Sequence, residues 1–182
     1  MIMTVEELRK YVKTDDTDEC LAAKLAGIEQ QIRGYTHNSF QVRGTGIVAD
    51  VVAGVFMSEA LIPYEAGDTI QISGSDKNDG LYTVSEVTDD TTFTVDEKTR
   101  DEIDLYITLV RYPADVKLGV INMMTWEIEN RGKVGIQSET ISRHTVNYIN
   151  LEEWSSAMGY PSSLVQFLKP YMKSRFGRGI GV

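Results

Sequence analysis

A chain of 182 residues, 42% hydrophobic and 25% charged, has the composition of a globular protein with one domain, or one domain carrying a small inserted one. No apolar run approaches the roughly 20 residues of a membrane helix, and the opening Met-Ile-Met-Thr-Val-Glu-Glu has neither the basic start nor the apolar stretch of a secretory signal. The net charge of −9 argues against wrapping nucleic acid, which needs a cationic footprint, and a single cysteine, Cys20, rules out an intrachain disulfide framework.

The N-terminal third reads as two helices. Thr4 with Glu7 forms a capping box, and Val5 and Leu8 begin an apolar face. The acidic turn Thr14–Asp18 ends that helix and caps the next, in which Leu21, Leu25, Ile28, Ile32 and Tyr35 recur at spacings of four and three. Such a narrow stripe suits packing within the chain. Cys20, beside Leu21, is expected to be a small residue in the core or at its boundary.

From Arg43 to Tyr112 the period changes to that of strands. Ile47, Ala49 and Val51 alternate with Val48, Asp50 and Val52, and similar runs surround Ile70 and Ile72, then Leu81, Thr83 and Val87. Two further runs hold Phe93 with Val95, and Leu105, Ile107 and Leu109. Turn signals separate them at Ala66-Gly67-Asp68, Asn78-Asp79-Gly80 and Thr88-Asp89-Asp90. This segment carries fourteen Asp and Glu against five Lys and Arg, so it holds the whole net charge and the rest of the chain sums to zero.

Pro113 opens a third helix, with Asp115 at its positive end. Between Leu118 and Ile128 the helix is apolar on nearly every side, so it must be covered all round, by the chain's own core or by neighbouring subunits. Leu118, Met123, Met124, Trp126 and Ile128 are the candidate subunit-interface residues. Arg131-Gly132 supplies a C-cap. A partly alternating, strand-like stretch follows over Ile136–Ile149, then a capping signal at Asn150 and Glu153 with Trp154 just behind it. A last helix starts at Ser162 or Ser163, carries Leu164, Phe167, Leu168 and Tyr171, and is kinked by Pro170. After Glu153 there is no acid, only Lys169, Lys173, Arg175 and Arg178, and Gly177–Val182 is expected to be flexible.

Residues 1–42 and 113–182 therefore read as one helical domain, and residues 43–112 as an inserted acidic β domain of five or six short antiparallel strands. The fold class is α+β: a small helical bundle with an inserted antiparallel β-barrel or sandwich.

Patterns for chemistry are sparse. Asp76-Lys77-Asn78-Asp79-Gly80 resembles the start of a calcium loop, but its Gly comes one place early and Val87 stands where the closing Glu belongs, so a β-turn is expected. His37 and His144 have no ligand partner at metal-binding spacing. There is no Gly-x-Ser-x-Gly elbow, and Gly44-Thr45-Gly46 lacks the rest of a dinucleotide loop. The acidic pairs Asp89 with Asp90 and Asp101 with Glu102 lie in turn-like segments where nothing would raise a carboxyl pKa. The reading is of a protein that is not an enzyme and uses no cofactor and no metal.

The order of elements resembles the phage head–tail connector (adaptor) proteins, small helical subunits that form a ring beneath the portal. The matching stretches are Thr4–Tyr11, Leu21–Tyr35 with its Ile28-Glu29-Gln30-Gln31-Ile32-Arg33 core, the helix from Pro113 to Asn130, Gly135–Tyr148, and Leu164–Arg175 with its Pro170-Tyr171. The β insertion is a departure from a minimal connector, though Asp68–Ile72 and Asn78–Val84 look like small β modules of phage structural proteins. The resemblance implies a non-enzymatic ring subunit of twelve copies at the head–tail junction of the virion, made in the bacterial host cytoplasm. Its implied partners are itself, the portal protein and a tail or head-completion protein. DNA would pass through without specific binding, and no membrane is involved. Lys169, Lys173, Arg175 and Arg178 are the candidate portal contacts. The acidic module would either line the channel and repel transiting DNA or project outward from the ring. Two other classes compete: a β-domain binding module for a protein or carbohydrate, which predicts a monomer with a ligand pocket, and a hydrolase using acidic pairs, which predicts a buried carboxyl with a raised pKa.

Overall fold

The structure, a computed structural model, describes residues 1–130, 138–141, 144–147 and 156–174. The protein is α+β and divides into two compact units, one of Met1 with Ser39–Tyr112, the other of Ile2–Asn38 with the described residues from Pro113 onward.

The first unit is a closed antiparallel barrel of six strands: β1 (Ile47–Val52), β2 (Val55–Ser58), β3 (Thr69–Ser73), β4 (Gly80–Asp89), β5 (Thr92–Val95) and β6 (Glu102–Val110), in the order β1-β2-β5-β4-β3-β6. Closure settles the choice between barrel and sandwich, and it leaves no strand edge among these six. Alternation along each strand sends Ile47, Ala49, Val51, Phe56, Ile70, Ile72, Phe93 and Ile107 inward. Phe56 and Phe93 stack at the centre, ring centroids 4.8 Å apart, and Tyr64 meets Phe93 edge-on at 5.8 Å. The Tyr64 hydroxyl donates to the carbonyls of Thr45 and Ile107, both at 2.9 Å, and burial pushes its pKa up.

Strand β2 is not among the alternating runs of the sequence, which pass from Val52 to Ile70. The turn between them is Ala53-Gly54, with φ of 51° and 85°, so that Val52 pairs with Val55. Alanine is unfavourable in the left-handed region; here the Asp101 carboxylate accepts the Ala53 N–H at 2.8 Å and holds the turn. The two ends of the barrel lie side by side. Val42 N–H donates to the Leu109 carbonyl at 2.8 Å, Arg111 N–H to the Phe40 carbonyl at 3.0 Å, and the rings of Phe40 and Tyr112 are 4.8 Å apart.

The second unit begins with α1 (Val5–Arg9), capped by Thr4 Oγ, which accepts the Glu7 N–H at 3.0 Å. Helix α2 (Asp18–Thr36) is capped by Thr17 and buries Leu21, Leu25, Ile28 and Ile32, with Tyr35 half-buried. Its last turn closes on His37 in the left-handed conformation. Cys20 lies in the first turn, where its N–H donates to Thr17 Oγ, and its thiol side is exposed rather than at the core.

Helix α3 (Ala114–Asn130) buries Val116, Gly119, Val120, Met123 and Met124. Gly119 is there because the ring of Phe167 rests on it: a Cβ would overlap that ring. A two-stranded sheet joins β7 (Ser138–Ile141) to β8 (His144–Asn147), and a smaller one pairs β9 (Ser156–Ala157) with β10 (Tyr160–Pro161). The chain then forms α4 (Ser162–Val165) and a 3-10 helix over Gln166–Tyr171 that contains Pro170. The last helix of the sequence reading is thus one α turn followed by tighter turns, which tolerate a proline that a continuing α-helix would not. The proposed C-cap at Arg131-Gly132 and the signals at Asn150, Glu153 and Trp154 lie outside the described residues.

Candidate interaction surfaces

Of the residues singled out on α3, Met123 and Met124 are fully buried, so neither is available to a neighbouring copy. Leu118 is 59% exposed. Trp126 and Ile128 are partly exposed, and the Trp126 ring meets Tyr160 edge-on at 5.3 Å. The helix is therefore covered on one side by the chain and open on the other at Leu118, a smaller apolar exposure than its sequence suggests.

Among the basic candidates, Lys169 and Lys173 are exposed. Their backbone is fixed from two sides. The Lys173 N–H donates to the Thr36 carbonyl at 2.8 Å, and Asn38 Nδ2 to the Tyr171 carbonyl at 3.2 Å. Tyr171 Oη donates to both carboxylate oxygens of Asp115, at 2.7 and 2.9 Å, an interaction that raises its pKa. The two lysines thus project from a segment held to the end of α2 and the start of α3. Arg175 and Arg178 lie outside the described residues.

A small cleft of about 130 Å³ borders α2 and is lined by Lys24, Gln31, Glu127 and Tyr160. Lys24 Nζ is bound to Asp16 at 2.7 Å, and that hydrogen bond raises its pKa; Tyr160 Oη donates to Glu127 at 3.0 Å. Lys24 and Glu127 thus each already have a partner, and the volume is below the roughly 300 Å³ of a small-molecule site.

On the barrel, the calcium-like sequence Asp76–Gly80 is a loop locked by Glu102. Its carboxylate accepts Ser75 Oγ at 2.7 Å, the Asp76 N–H at 2.9 Å, the Lys77 N–H at 3.2 Å and Asn78 Nδ2 at 2.8 Å. Asn78, 1% exposed, also donates to the Arg100 carbonyl at 2.9 Å and accepts the Arg100 N–H at 2.8 Å. The Ser75 hydroxyl, followed by the Asp76 N–H, holds the Glu102 carboxyl below its ordinary pKa. Asp89 is likewise held low by the backbone N–H and hydroxyl of Thr91. Both carboxylates serve as acceptors for their own loops, and no group of three or more His, Cys, Asp or Glu among the described residues could hold a metal ion.

The more open feature is the outer face of β1. Val48 and Val52 point outward and are about half exposed, as are Met57 on β2, opposite Asp50, and Tyr106 on β6, opposite Val48. Leu61 and Ile103 are exposed more fully. The face holds a cleft of about 440 Å³ lined by Val48, Asp50, Met57, Glu59 and Asp104 among others, with no basic residue in its lining. Asp50 accepts the backbone N–H of Asp104 at 2.9 Å, at an irregularity in the β1–β6 pairing. The hydroxyl end of Tyr106 rests on Gly46, where a Cβ would overlap it. The alternation in Ile47–Val52 marks β1, but the sequence reading assigned its outward side no role. Val48 and Val52 in solvent-facing positions were the available signal.

No helix among the described residues is long and apolar enough to cross a membrane. Models of known protein families and characterised proteins give no match to this chain.

Proposed function

We propose that this chain is a structural subunit of a phage head–tail connector ring, joining the portal to the tail and extending the channel through which DNA leaves the head. The observation that carries the reading is the order of elements. Helices before and after residues 39–112 belong to one compact unit, read here as a small connector-like bundle, and the barrel interrupts it as an insertion. That order supports the resemblance traced through Thr4–Tyr11, Leu21–Tyr35, Pro113–Asn130 and Leu164–Arg175.

On this reading the subunit works without catalysis or cofactor, in a ring of twelve copies at the head–tail junction, after synthesis in the host cytoplasm. Its partners are further copies of itself, the portal and a tail or head-completion protein, and DNA passes without specific binding. Lys169, Lys173, Arg175 and Arg178 contact an acidic portal surface. On α3, Leu118 with the exposed parts of Trp126 and Ile128 faces a neighbouring copy, whereas Met123 and Met124 support the helix from within.

Light scattering of the chain alone and mixed with a portal ring tests the proposal. A ring, or a complex of defined stoichiometry on the portal, is expected, and charge reversal at Lys169 and Lys173 should weaken it. A chain that stays monomeric beside candidate portals would refute it. The apolar, acid-flanked cleft on β1 favours a second reading, a β-domain binding module for a protein or carbohydrate, and that monomer is what the second reading predicts.

A further inference from the structure

We infer that the outer face of β1 is a docking surface for residues 175–182 of a second copy of the chain. Along β1 the outward positions are Val48, Asp50 and Val52, an apolar–acidic–apolar row with a period of two residues. Met57 and Tyr106 widen the apolar floor, and Glu59 and Asp104 add acid beside Asp50. Every neighbour of β1 in the closed barrel is already a strand, so a partner cannot extend the sheet and must bind through side chains.

The complementary row is encoded in the same chain. Arg175-Phe176-Gly177-Arg178-Gly179-Ile180-Gly181-Val182 has glycine at every second position from 177 to 181. In an extended conformation the remaining side chains from Phe176 onward fall on one side: Phe176, Arg178, Ile180 and Val182. This is an apolar–basic–apolar row with the same period. At about 3.3 Å per residue, both rows repeat every ~6.6 Å, so Arg178 meets Asp50 when Phe176 and Ile180 cover Val48 and Val52, in either direction. The arginine stem lies over Met57, and its guanidinium reaches the carboxylates at the cleft. The charge balance agrees, since residues 43–112 carry fourteen acids against five bases while residues 154–182 carry four bases and no acid. Each copy brings both halves of the contact, which is the head-to-tail arrangement that propagates into a ring or a filament. The inference does not depend on a portal, and it revises the proposed contacts in one respect: Arg178 pairs with a neighbouring copy, so contact with the portal falls to Lys169, Lys173 and Arg175.

The test uses a synthetic peptide of residues 174–182 titrated into isotope-labelled full-length chain carrying Arg175→Glu and Arg178→Glu, so that its own segment does not compete. Saturable amide shifts centred on Val48, Met57 and Tyr106 are expected, with a dissociation constant on the order of 0.1–1 mM for so short a side-chain contact. Arg178→Glu in the peptide, or Glu59→Lys in the chain, should weaken binding about tenfold, and combining the two reversals should restore part of it. Absence of shifts on β1, or shifts indifferent to both reversals, overturns the assignment. The unmodified chain should also gain mass with concentration in light scattering, and Arg178→Glu should abolish the gain. A constant monomer mass despite peptide binding would place the segment on its own barrel and overturn docking between copies.

Discussion

Replacing Asn78 with alanine should destabilise the barrel by about 1–2 kcal/mol, a marked loss for a site that reads in sequence as an ordinary turn. The side chain is 1% exposed and makes three hydrogen bonds, with the Arg100 carbonyl, the Arg100 N–H and the Glu102 carboxylate. Each bond contributes about 1 kcal/mol, but Arg100 is exposed and Glu102 only partly covered, so water takes over part of the lost contacts and truncation costs about 1–2 kcal/mol. Trp126 and Trp154 both lie outside residues 39–112, so tryptophan fluorescence would miss the event. Far-UV circular dichroism through a denaturant titration, with amide exchange read at residues 75–102, is the suitable assay. Asn78→Asp should be worse at neutral pH, because a carboxylate then faces Glu102, and should recover in part on acidification as the new carboxyl becomes a donor. The wild type should behave oppositely. Its Glu102 is held below the ordinary value, so the folded barrel binds that proton less readily than the unfolded chain. The contribution is complete above the ordinary carboxylate pKa and is lost as pH falls through the lowered one. A loss below about 0.5 kcal/mol for Asn78→Ala, or an Asn78→Asp variant indifferent to pH, would refute the locking role of this loop.

Phe93→Ala removes the ring stacked between Phe56 and Tyr64 and should cost about 3–5 kcal/mol, seen as loss of the barrel's protected amides while the helical unit keeps its tryptophan signal. Gly119→Ala should destabilise the helical unit by about 1–3 kcal/mol through displacement of Phe167, despite alanine's better helix propensity, and Trp126 fluorescence should report it. Cys20 should react with a thiol reagent in the native protein at nearly the rate of the denatured chain, because it is exposed; protection by more than about tenfold would contradict its placement.

The legible parts of the fold were those fixed by short-range patterns. The Thr4 cap, the capping turn Thr14–Asp18, the Leu21–Ile32 stripe and most of the strand alternation are properties of a few successive residues. The missed parts depend on distant partners. Ala53-Gly54 is a hairpin turn because Asp101, far along the chain, accepts its N–H. Asn78 is buried because Arg100 and Glu102 close over it. Helix α3 has Gly119 inside an apolar run because Phe167 needs the space. The open side of β1 followed from alternation alone, but its row of Val48, Asp50 and Val52 becomes meaningful only once Met57 and Tyr106 are aligned beside it.

The adjacency of Phe40 and Tyr112 bears on how such a protein changes over time. A domain whose first and last residues are stapled together, through the Phe40–Arg111 and Val42–Leu109 backbone bonds, presents to its host chain a gap hardly wider than a tight turn. Exchanging it for another module, or excising it and bridging Asn38 to Pro113 with a few residues, would add little closure entropy to the host. The barrel is therefore built as a cassette, free to acquire, alter or lose a surface such as that on β1 while the helices keep their own sequence constraints.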